Sequence, residues 1–226
     1  MADFATREVE GMRQVVIDIE NETVRARNGA LSNLKGNIDF VPRLPNLGYF
    51  LKTLFSKEAR IRPSYSGTGR IFLQPSLSGY HVFEATEGER WVLEPGVYWA
   101  SEGGVALGLY RERFWPSLWA GDGLLVWKTT MHGPGQVAVN APGPVEVIPV
   151  ENAQFRAQGR LVLGRTDGLR FSSQRAARFP RNLFSGQSRM RVYSGTGRLL
   201  VCWTPYWNQY MYTRMTGEDI EGTLFE

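Results

Sequence analysis

The residue types that usually do acid–base or metal chemistry are few in this sequence and far apart. Among 226 residues there are two histidines, His81 and His132, and one cysteine, Cys202. Neither histidine lies in a motif such as Gly-x-Ser-x-Gly, and a catalytic nucleophile needs a base and an orienting group beside it. A single cysteine excludes a disulfide framework and a cysteine-based zinc site. We therefore predict no catalytic residue, no metal site and no cofactor.

Paired carboxylates are the remaining source of acid–base chemistry. Glu84, Glu87 and Glu89 precede Trp91, and Glu94 follows it, so two of these groups could act as general acid and general base. A solvated loop explains the same residues equally well, because glycine and charged residues cluster in exposed turns. A glycosidase-like site is therefore the weaker interpretation, and we predict that the protein is not an enzyme.

Arginine residues carry the modest positive charge of the chain and could bind nucleic acid. Lysine and arginine together number 26 against 22 aspartate and glutamate residues, which gives a net charge of +4. RNA and single-stranded nucleic acid bind along basic grooves that also offer aromatic side chains. We expect Arg70 and Arg198, which end two identical segments, to emerge on one rim of the molecule, with Gln136 at the third position. A further arginine cluster consists of Arg175, Arg178 and Arg181.

Aromatic residues offer a second kind of surface. Trp115 and Trp119 lie in the segment Phe-Trp-Pro-Ser-Leu-Trp after Arg111, which resembles an anchor at a membrane surface. The same segment suits a plug in the core, and this is the interpretation we favour. Trp207 lies in an aromatic stretch that could cover the core or form a surface for a partner or for self-association. No apolar run approaches the roughly 18–20 residues of a membrane-spanning helix, so we predict no transmembrane segment.

The elements that must position these residues belong to an internal repeat. The hexapeptide Tyr-Ser-Gly-Thr-Gly-Arg occurs at 65–70 and at 193–198, and His-Gly-Pro-Gly-Gln at 132–136 is a degenerate third copy. Two other landmarks recur in the same order, separated like the hexapeptides by 62 to 67 residues: an aromatic residue (Phe55, Trp119, Phe184) and a lone glycine (Gly29, Gly96, Gly159). Three landmarks in constant order indicate three copies of one unit.

Each unit is predicted to consist of strands. Segments rich in β-forming residues stand on both sides of the Gly-x-Gly, so we predict hairpin turns in which glycine supplies positive φ. The predicted turn residues are Gly67, Gly69, Gly133, Gly135, Gly195 and Gly197. Helix is confined to short turns at 48–54 and 114–119. The expected fold is all-β, with three fused β-sandwich-like repeats at about 12–76, 77–142 and 143–205 related by internal pseudo-threefold symmetry. They form a single compact domain over 1–226 with an aromatic, then acidic, tail at 206–226.

These landmarks resemble the mitochondrial biogenesis family of bacteria and fungi, which is named after altered inheritance of mitochondria in yeast. The matching segments are Gly29-Ala30, Ser66-Gly67-Thr68-Gly69, Ala120-Gly121-Asp122-Gly123-Leu124, Gly133-Pro134-Gly135 and Phe184-Ser185-Gly186. The resemblance covers roughly residues 12–205 and implies a fold similar to that of the tryptophan RNA-binding attenuation protein. It implies no catalytic residue and no cofactor. The chain departs from the family where many members continue Phe-Ser-Gly with Glu-Gly, since Gln187-Ser188 stands there in the third unit.

We predict a non-catalytic scaffold or binding module of unknown ligand that could self-associate. The alternative is RNA or single-stranded nucleic-acid binding through the arginine-bearing rim, against which the small net charge argues. A protein partner or peripheral membrane contact through the tryptophans stays open. The N-terminal residues contain acidic side chains and no apolar signal segment, so we expect a bacterial cytoplasmic protein.

Overall fold

The computed structural model describes residues 2–41, 62–76, 79–112, 114–119, 127–158, 160–176 and 189–203. Five sequence predictions lie outside these ranges: the helical turn at 48–54, the two arginines Arg178 and Arg181, Trp207, and the tail at 206–226.

The described residues form fourteen strands and one short helix. In chain order these elements are β1 (Asp3–Val9), β2 (Met12–Ala26), β3 (Leu31–Val41), β4 (Ser64–Leu73), β5 (Tyr80–Ala85), β6 (Arg90–Leu93), β7 (Tyr98–Glu102), β8 (Ala106–Arg111), α1 (Phe114–Trp119), β9 (Trp127–His132), β10 (Gly135–Asn140), β11 (Val145–Ala157), β12 (Val162–Thr166), β13 (Leu169–Arg175) and β14 (Arg189–Cys202). The prediction of an all-β fold with very little helix is confirmed, and α1 lies where the sequence predicts it.

The strands form two seven-stranded antiparallel sheets. Sheet A has the order β3-β4-β2-β7-β10-β5, with β1 paired to β2. Sheet B has the order β11-β14-β12-β6-β9-β8, with β13 paired to β14. The alternation of apolar residues explains the placement of long strands such as β2, in which Val15, Ile17 and Ile19 are buried. Two core clusters belong mainly to one sheet each, and a third cluster combines sheet A residues such as Val137 with sheet B residues such as Trp91. The two sheets therefore pack against each other through this shared cluster.

In the first and third predicted repeats, the last strand lies between earlier strands of the same repeat. In the first repeat β4 lies between β2 and β3, and in the third β14 lies between β11 and the strands β12 and β13. The middle repeat is divided between the sheets, with β10 between β5 and β7 in sheet A and β9 between β6 and β8 in sheet B. A pairing order fixes no rotation axis, so the threefold symmetry stays a prediction.

The predicted hairpin turns at the Gly-x-Gly segments are wrong. Gly67 and Gly69 lie inside β4, and Gly195 and Gly197 lie inside β14, so both identical hexapeptides continue as strand. At the third copy the chain bends after β9 at Gly133 and enters β10 at Gly135, and these two strands belong to different sheets. The bend therefore transfers the chain between sheets and is not a hairpin.

The glycines serve a different purpose from the one predicted. Gly67 and Gly195 have φ values of 137° and 128°, a region that residues with a Cβ avoid. A Cβ atom at Gly67 would collide with the carbonyl oxygen of Asn37, and one at Gly195 would collide with that of Gly168. On the other side of each strand the partner carries an extra residue in the left-handed conformation, Asn21 (φ 53°) or Asn152 (φ 48°). The glycines thus permit a β-bulge and a close approach of neighbouring strands.

Candidate functional site

The arginines of the predicted rim are paired with carboxylates. Arg70 on β4 donates from Nε to Asp18 Oδ1 (2.5 Å) and from Nη2 to Asp18 Oδ2 (2.9 Å). Arg198 on β14 donates from Nη2 to Glu89 Oε2, and its guanidinium lies 5.5 Å from the centre of the Trp91 ring. Each guanidinium charge is therefore balanced by a carboxylate within the chain, which weakens its attraction for a phosphate group.

The structure also distributes the rim over both sheets. Arg70 belongs to sheet A, whereas Arg198 belongs to sheet B. The third position, Gln136, accepts a hydrogen bond from the backbone N–H of Phe4 at 3.0 Å. Arg175 lies opposite Arg189 at the other end of β14, which places it about 30 Å along the strand from Arg198 at roughly 3.3 Å per residue. Arg175 therefore lies far from Arg198 on the same sheet, while a common rim for Arg70 and Arg198 stays a prediction.

Trp115 and Trp119 form an exposed pair on α1, which we call the α1 aromatic surface. Their exposed fractions are 63% and 52%, so the favoured interpretation of a core plug is wrong for both side chains. Ser117, between them on the short helix, is buried and faces the body of the protein. Residues 115 and 119 lie one helical turn apart on the same side of α1, and Ser117 lies near the opposite side, so burial of Ser117 leaves both tryptophans exposed.

Hydrogen bonds attach the end of α1 to sheet B. The carbonyl oxygen of Trp119 accepts a hydrogen bond from Ser173 Oγ at 3.2 Å. Arg189 donates from Nε to the same Ser173 Oγ (3.1 Å), and its guanidinium lies 4.6 Å from the centre of the Trp119 ring. Burial lowers the pKa of Arg189, and the charge of Arg175, which lies opposite it, adds to this lowering. Trp119 is therefore held in place beside a locally basic stretch of strand.

A buried ion network lies in sheet B, and it was missed by sequence reasoning. Lys128 on β9 has no exposed surface and contacts Glu94 Oε1 at 2.6 Å and Glu112 Oε2 at 3.2 Å. Arg165 on β12 contacts Glu112 Oε2 at 2.8 Å and donates from Nε to the carbonyl oxygen of Leu169 at 3.1 Å. We call Glu94, Glu112, Lys128 and Arg165 the buried ion network.

The electrostatics of this network favour the charged form of Glu112. Burial acts to raise the pKa of Glu112, but the charges of Arg165 and Lys128 outweigh burial, and the pKa is lowered overall. An aromatic ring also borders the network. The centre of the Phe171 ring lies 5.1 Å from Lys128 Nζ and 5.8 Å from the Arg165 guanidinium. Each charge is thus held by an opposite charge or a ring, an arrangement that joins the ends of β6 and β8 to β9 and β12.

The carboxylates considered for acid–base chemistry are placed apart. Glu89 pairs with Arg198 and Glu94 with Lys128, while Glu84 lies on β5 in sheet A. Glu84 borders an open cleft of about 600 Å³ that is also lined by Arg25 and by further residues: Glu22, Thr23, Glu102, Gly103, Gly104, Pro134 and Gly135. One charged side chain of the cleft is engaged within the chain: Arg25 Nη1 donates a hydrogen bond to the carbonyl oxygen of Val105 at 3.0 Å.

The two histidines and the cysteine lie on three different strands. Cys202 is fully buried near the end of β14. Burial lowers the pKa of His81, which lies on β5, whereas His132 ends β9 and is exposed. Among the described residues no group of three or more histidine, cysteine or acidic side chains is arranged to hold a metal ion. Nor is any helix in the described part of the chain long and apolar enough to cross a membrane.

Comparison with known proteins decides the family. The sequence profile described as mitochondrial biogenesis AIM24 matches residues 6–202. The chain belongs to the AIM24 family. The resemblance seen in the sequence is thereby confirmed at the level of the family, while the likeness to the tryptophan RNA-binding attenuation protein stays a prediction.

A solved structure shares the fold of this AIM24 protein. It is the X-ray crystal structure of protein SPYM3_0169 from Streptococcus pyogenes, with a TM-score of 0.68 and 16% sequence identity over 95% of this chain and 99% of that one. At this level of identity the likeness concerns the fold alone. No curated protein matches the chain.

One sequence signal could have revealed the network in this AIM24 chain. Lys128 follows Leu124 and Val126 at every second position, and Leu125 and Trp127 between them are apolar too, so it stands in a segment predicted to be buried. A lysine at such a position requires a buried partner, since an unpaired charge in a core is very costly. The identity of the partners, Glu94, Glu112 and Arg165, depends on strand pairings that alternation does not specify.

Proposed function

We propose that this AIM24-family protein is a non-catalytic binding module that holds a protein partner on the α1 aromatic surface. The observation that carries the proposal is the exposure of Trp115 (63%) and Trp119 (52%) on a helix attached to sheet B. Tryptophan is prominent among the residues that dominate protein interfaces, because a large ring loses much contact with water when a partner covers it. Two such rings side by side make a suitable anchor.

The attachment of α1 supports binding because it reduces the entropy that binding must remove. Ser173 and Arg189 hold the backbone and the ring of Trp119, so a partner meets an ordered side chain. Preorganised anchors bind more tightly for the same contact area. Arg189 and Arg175 face each other across β13 and β14 beside this surface, which favours a partner that carries acidic groups next to its apolar contact.

The absence of catalysis is part of the proposal and rests on how the charged groups are used. Glu94 and Glu112 are bound to Lys128 and Arg165, and Glu89 is bound to Arg198. A general acid or base must reach a proton on a substrate. Carboxylates engaged in this way serve the stability of the sheets. RNA binding through the rim has less support, since Arg70 and Arg198 are both engaged in ion pairs.

The experiment compares capture by three versions of the full chain in extracts of the native host. The wild type, the Trp115→Ser/Trp119→Ser double variant and a Trp203→Ser control are immobilised, and bound proteins are quantified by mass spectrometry. Trp203 is 50% exposed and lies beside Glu146, away from α1, so it matches the loss of an exposed ring. We expect at least one protein that the wild type and the control retain and the double variant loses.

Binding is then measured with that purified protein. Loss of the two rings should weaken its affinity at least about tenfold, while Trp203→Ser leaves it unchanged. The proposal is wrong if every captured protein is retained equally by the double variant. A parallel titration with fluorescent single-stranded RNA at low salt tests the alternative: binding that Arg70→Ala/Arg198→Ala removes would favour the rim over α1.

A further inference from the structure

One end strand of sheet A, β3, has no partner strand on its outer edge among the described residues. β3 (Leu31–Val41) ends the strand order of sheet A and, among the described residues, pairs only with β4. Within the described part of the chain, the backbone groups on its other side have no strand partner and can accept a further strand. One end strand of sheet B, β11, is different, because it contains Pro149, which has no backbone N–H to donate to a further strand. β3 contains no proline.

The two faces of β3 have different characters. Leu34 and Ile38 pack against the core of sheet A, whereas Lys35, Asn37 and Asp39 are exposed. Phe40 belongs to the core-facing side and lies 5.5 Å from the ring of Tyr65, yet it remains 54% exposed. The strand therefore offers charges on one face and an incompletely covered aromatic ring on the other.

We propose that two copies of the chain pair antiparallel along β3, about a twofold axis at Asn37. In such a pair, residues equally distant from Asn37 stand directly opposite each other. Lys35 of each copy then faces Asp39 of the other, which gives two cross-strand ion pairs on the outer face. On the inner face Leu34 meets Phe40 of the second copy, so the partner covers the exposed ring and the two sheets join into one.

The charges select this register over its neighbours. An axis at residue 35 would place two lysines opposite each other, and an axis at residue 39 would oppose two aspartates; both arrangements are repulsive. Axes at 36 and 38 leave Lys35 opposite Asn37 or Val41, with no ion pair. Only an axis at Asn37 joins both charges to opposite charges, and it does so twice because of the symmetry. The inference is independent of the function proposed for α1, which lies against sheet B.

The test is a charge exchange on the full chain, with mass measured by light scattering and dimer affinity by analytical ultracentrifugation. We expect the wild type to dimerise. Lys35→Glu and Asp39→Lys should each weaken the dimer at least about tenfold, since each creates two repulsive pairs. The double variant Lys35→Glu/Asp39→Lys should recover the wild-type affinity, because the ion pairs return with reversed direction. Glu151→Lys on β11 is the matched control and should leave the dimer unchanged.

A cysteine at the axis tests the register directly. Opposite residues in an antiparallel pair have Cα atoms about 4.5–5.5 Å apart, within the range of a disulfide. Asn37→Cys should therefore form a disulfide-linked dimer under mild oxidation, whereas Lys35→Cys should not, and the native Cys202 is fully buried. Any of three results would overturn the proposal: a monomeric wild type, a dimer affinity that neither single charge reversal changes, or a double variant whose dimer affinity does not return to that of the wild type. Circular dichroism and thermal unfolding confirm that the variants, all at exposed positions, remain folded.

Discussion

The hexapeptide Tyr-Ser-Gly-Thr-Gly-Arg occurs in β4 and in β14, and its two copies share the conformation of the first glycine and the bulge opposite it, but not the surroundings. In both, a glycine has a φ near 130° (137° at Gly67, 128° at Gly195) opposite a bulge formed by an asparagine. In both, the threonine Oγ1 accepts a hydrogen bond from the backbone N–H of that asparagine at 3.1 Å. Even the tyrosines, Tyr65 and Tyr193, are buried in each.

The final arginines of the two copies have different partners. Arg70 binds Asp18, the residue directly opposite it on β2, at an exposed position. Arg198 reaches Glu89 in the loop before β6 and lies over Trp91, in a less exposed position. The comparison indicates that the local sequence, together with the bulge opposite it, sets the conformation of the first glycine, whereas the second glycine has a positive φ in β4 only (Gly69, 151°). The role of the side chain depends on the strands that the fold brings beside it.

The largest effect is expected from filling the shared glycine positions. Gly67→Ala and Gly195→Ala should each lower the free energy of unfolding by at least about 2 kcal/mol, since alanine is strained at these φ values and its Cβ would meet a neighbouring carbonyl oxygen. Urea unfolding of the purified variants measures the loss. If the backbone is set locally, the two losses should agree.

A matched substitution separates strain from crowding. Gly29→Ala has a positive φ (79°) but no atom within 4 Å of the new Cβ, so it should cost only about 1 kcal/mol. A Gly67→Ala or Gly195→Ala variant no less stable than Gly29→Ala would show that the close approach of the strands is unimportant.

The second largest loss of stability is expected from removing the final arginines, and it should differ between the two copies because their ion pairs differ in exposure. Burial acts to raise the pKa of Glu89, but hydrogen bonds from Arg198 and Thr86 outweigh it and lower the pKa below its ordinary value of 4.5. A carboxylate with a lowered pKa in the folded state contributes stability above its unfolded pKa and loses it as the pH falls through the folded pKa. Arg198→Met should therefore cost about 1 kcal/mol at pH 7, and this cost should shrink as the pH falls below about 4.5.

Arg70→Met is the comparison for this second effect. Its ion pair is exposed, so its loss should be smaller than that of Arg198→Met and should diminish further in high salt. Thermal unfolding between pH 3 and 7, at low and high salt, records both variants. Equal losses with equal salt dependence would remove the distinction that we draw between the two arginines.

The sequence was most informative about local structure and about the family. Alternation and β-forming residues predicted the strands, and the segment at 114–119 predicted α1. The Gly-x-Gly segments were wrongly predicted as hairpin turns because positive φ serves a bulge as well as a turn, and the difference lies in a partner strand far along the chain. A repeated signal did point to that partner: Glu20-Asn21 and Glu151-Asn152 each precede an Arg-Ala pair by three residues.

The candidate site was harder to predict because it depends on pairings between distant segments. The exposure of Trp115 and Trp119 follows from how a six-residue helix rests on sheet B, and an apolar pattern alone favours burial. The network around Lys128 gathers residues from the ends of β6 and β8 and from β12. No spacing along the chain relates those residues, so only the strand order brings them together.

The smallest effect is expected at the bulge asparagines, and it tests how local the backbone conformation is. Asn21 (φ 53°) and Asn152 (φ 48°) occupy the left-handed region, which glycine adopts without strain and alanine adopts at a cost of about 1 kcal/mol. Asn→Ala should therefore cost about 1 kcal/mol in both copies. Asn→Gly should change the stability by less than about 0.5 kcal/mol, because relief of strain offsets the greater freedom of the unfolded chain.

A small difference between the asparagines should remain. Asn21 Oδ1 also accepts a hydrogen bond from Thr68 Oγ1 at 3.2 Å, an exposed bond that Asn21→Gly would remove. Asn21→Gly should thus be slightly less stable than Asn152→Gly when both are compared with the wild type by urea unfolding. A difference above about 1 kcal/mol would mean that the sheets, and not the hexapeptide with its bulge, impose the conformation, since an exposed hydrogen bond contributes less than that.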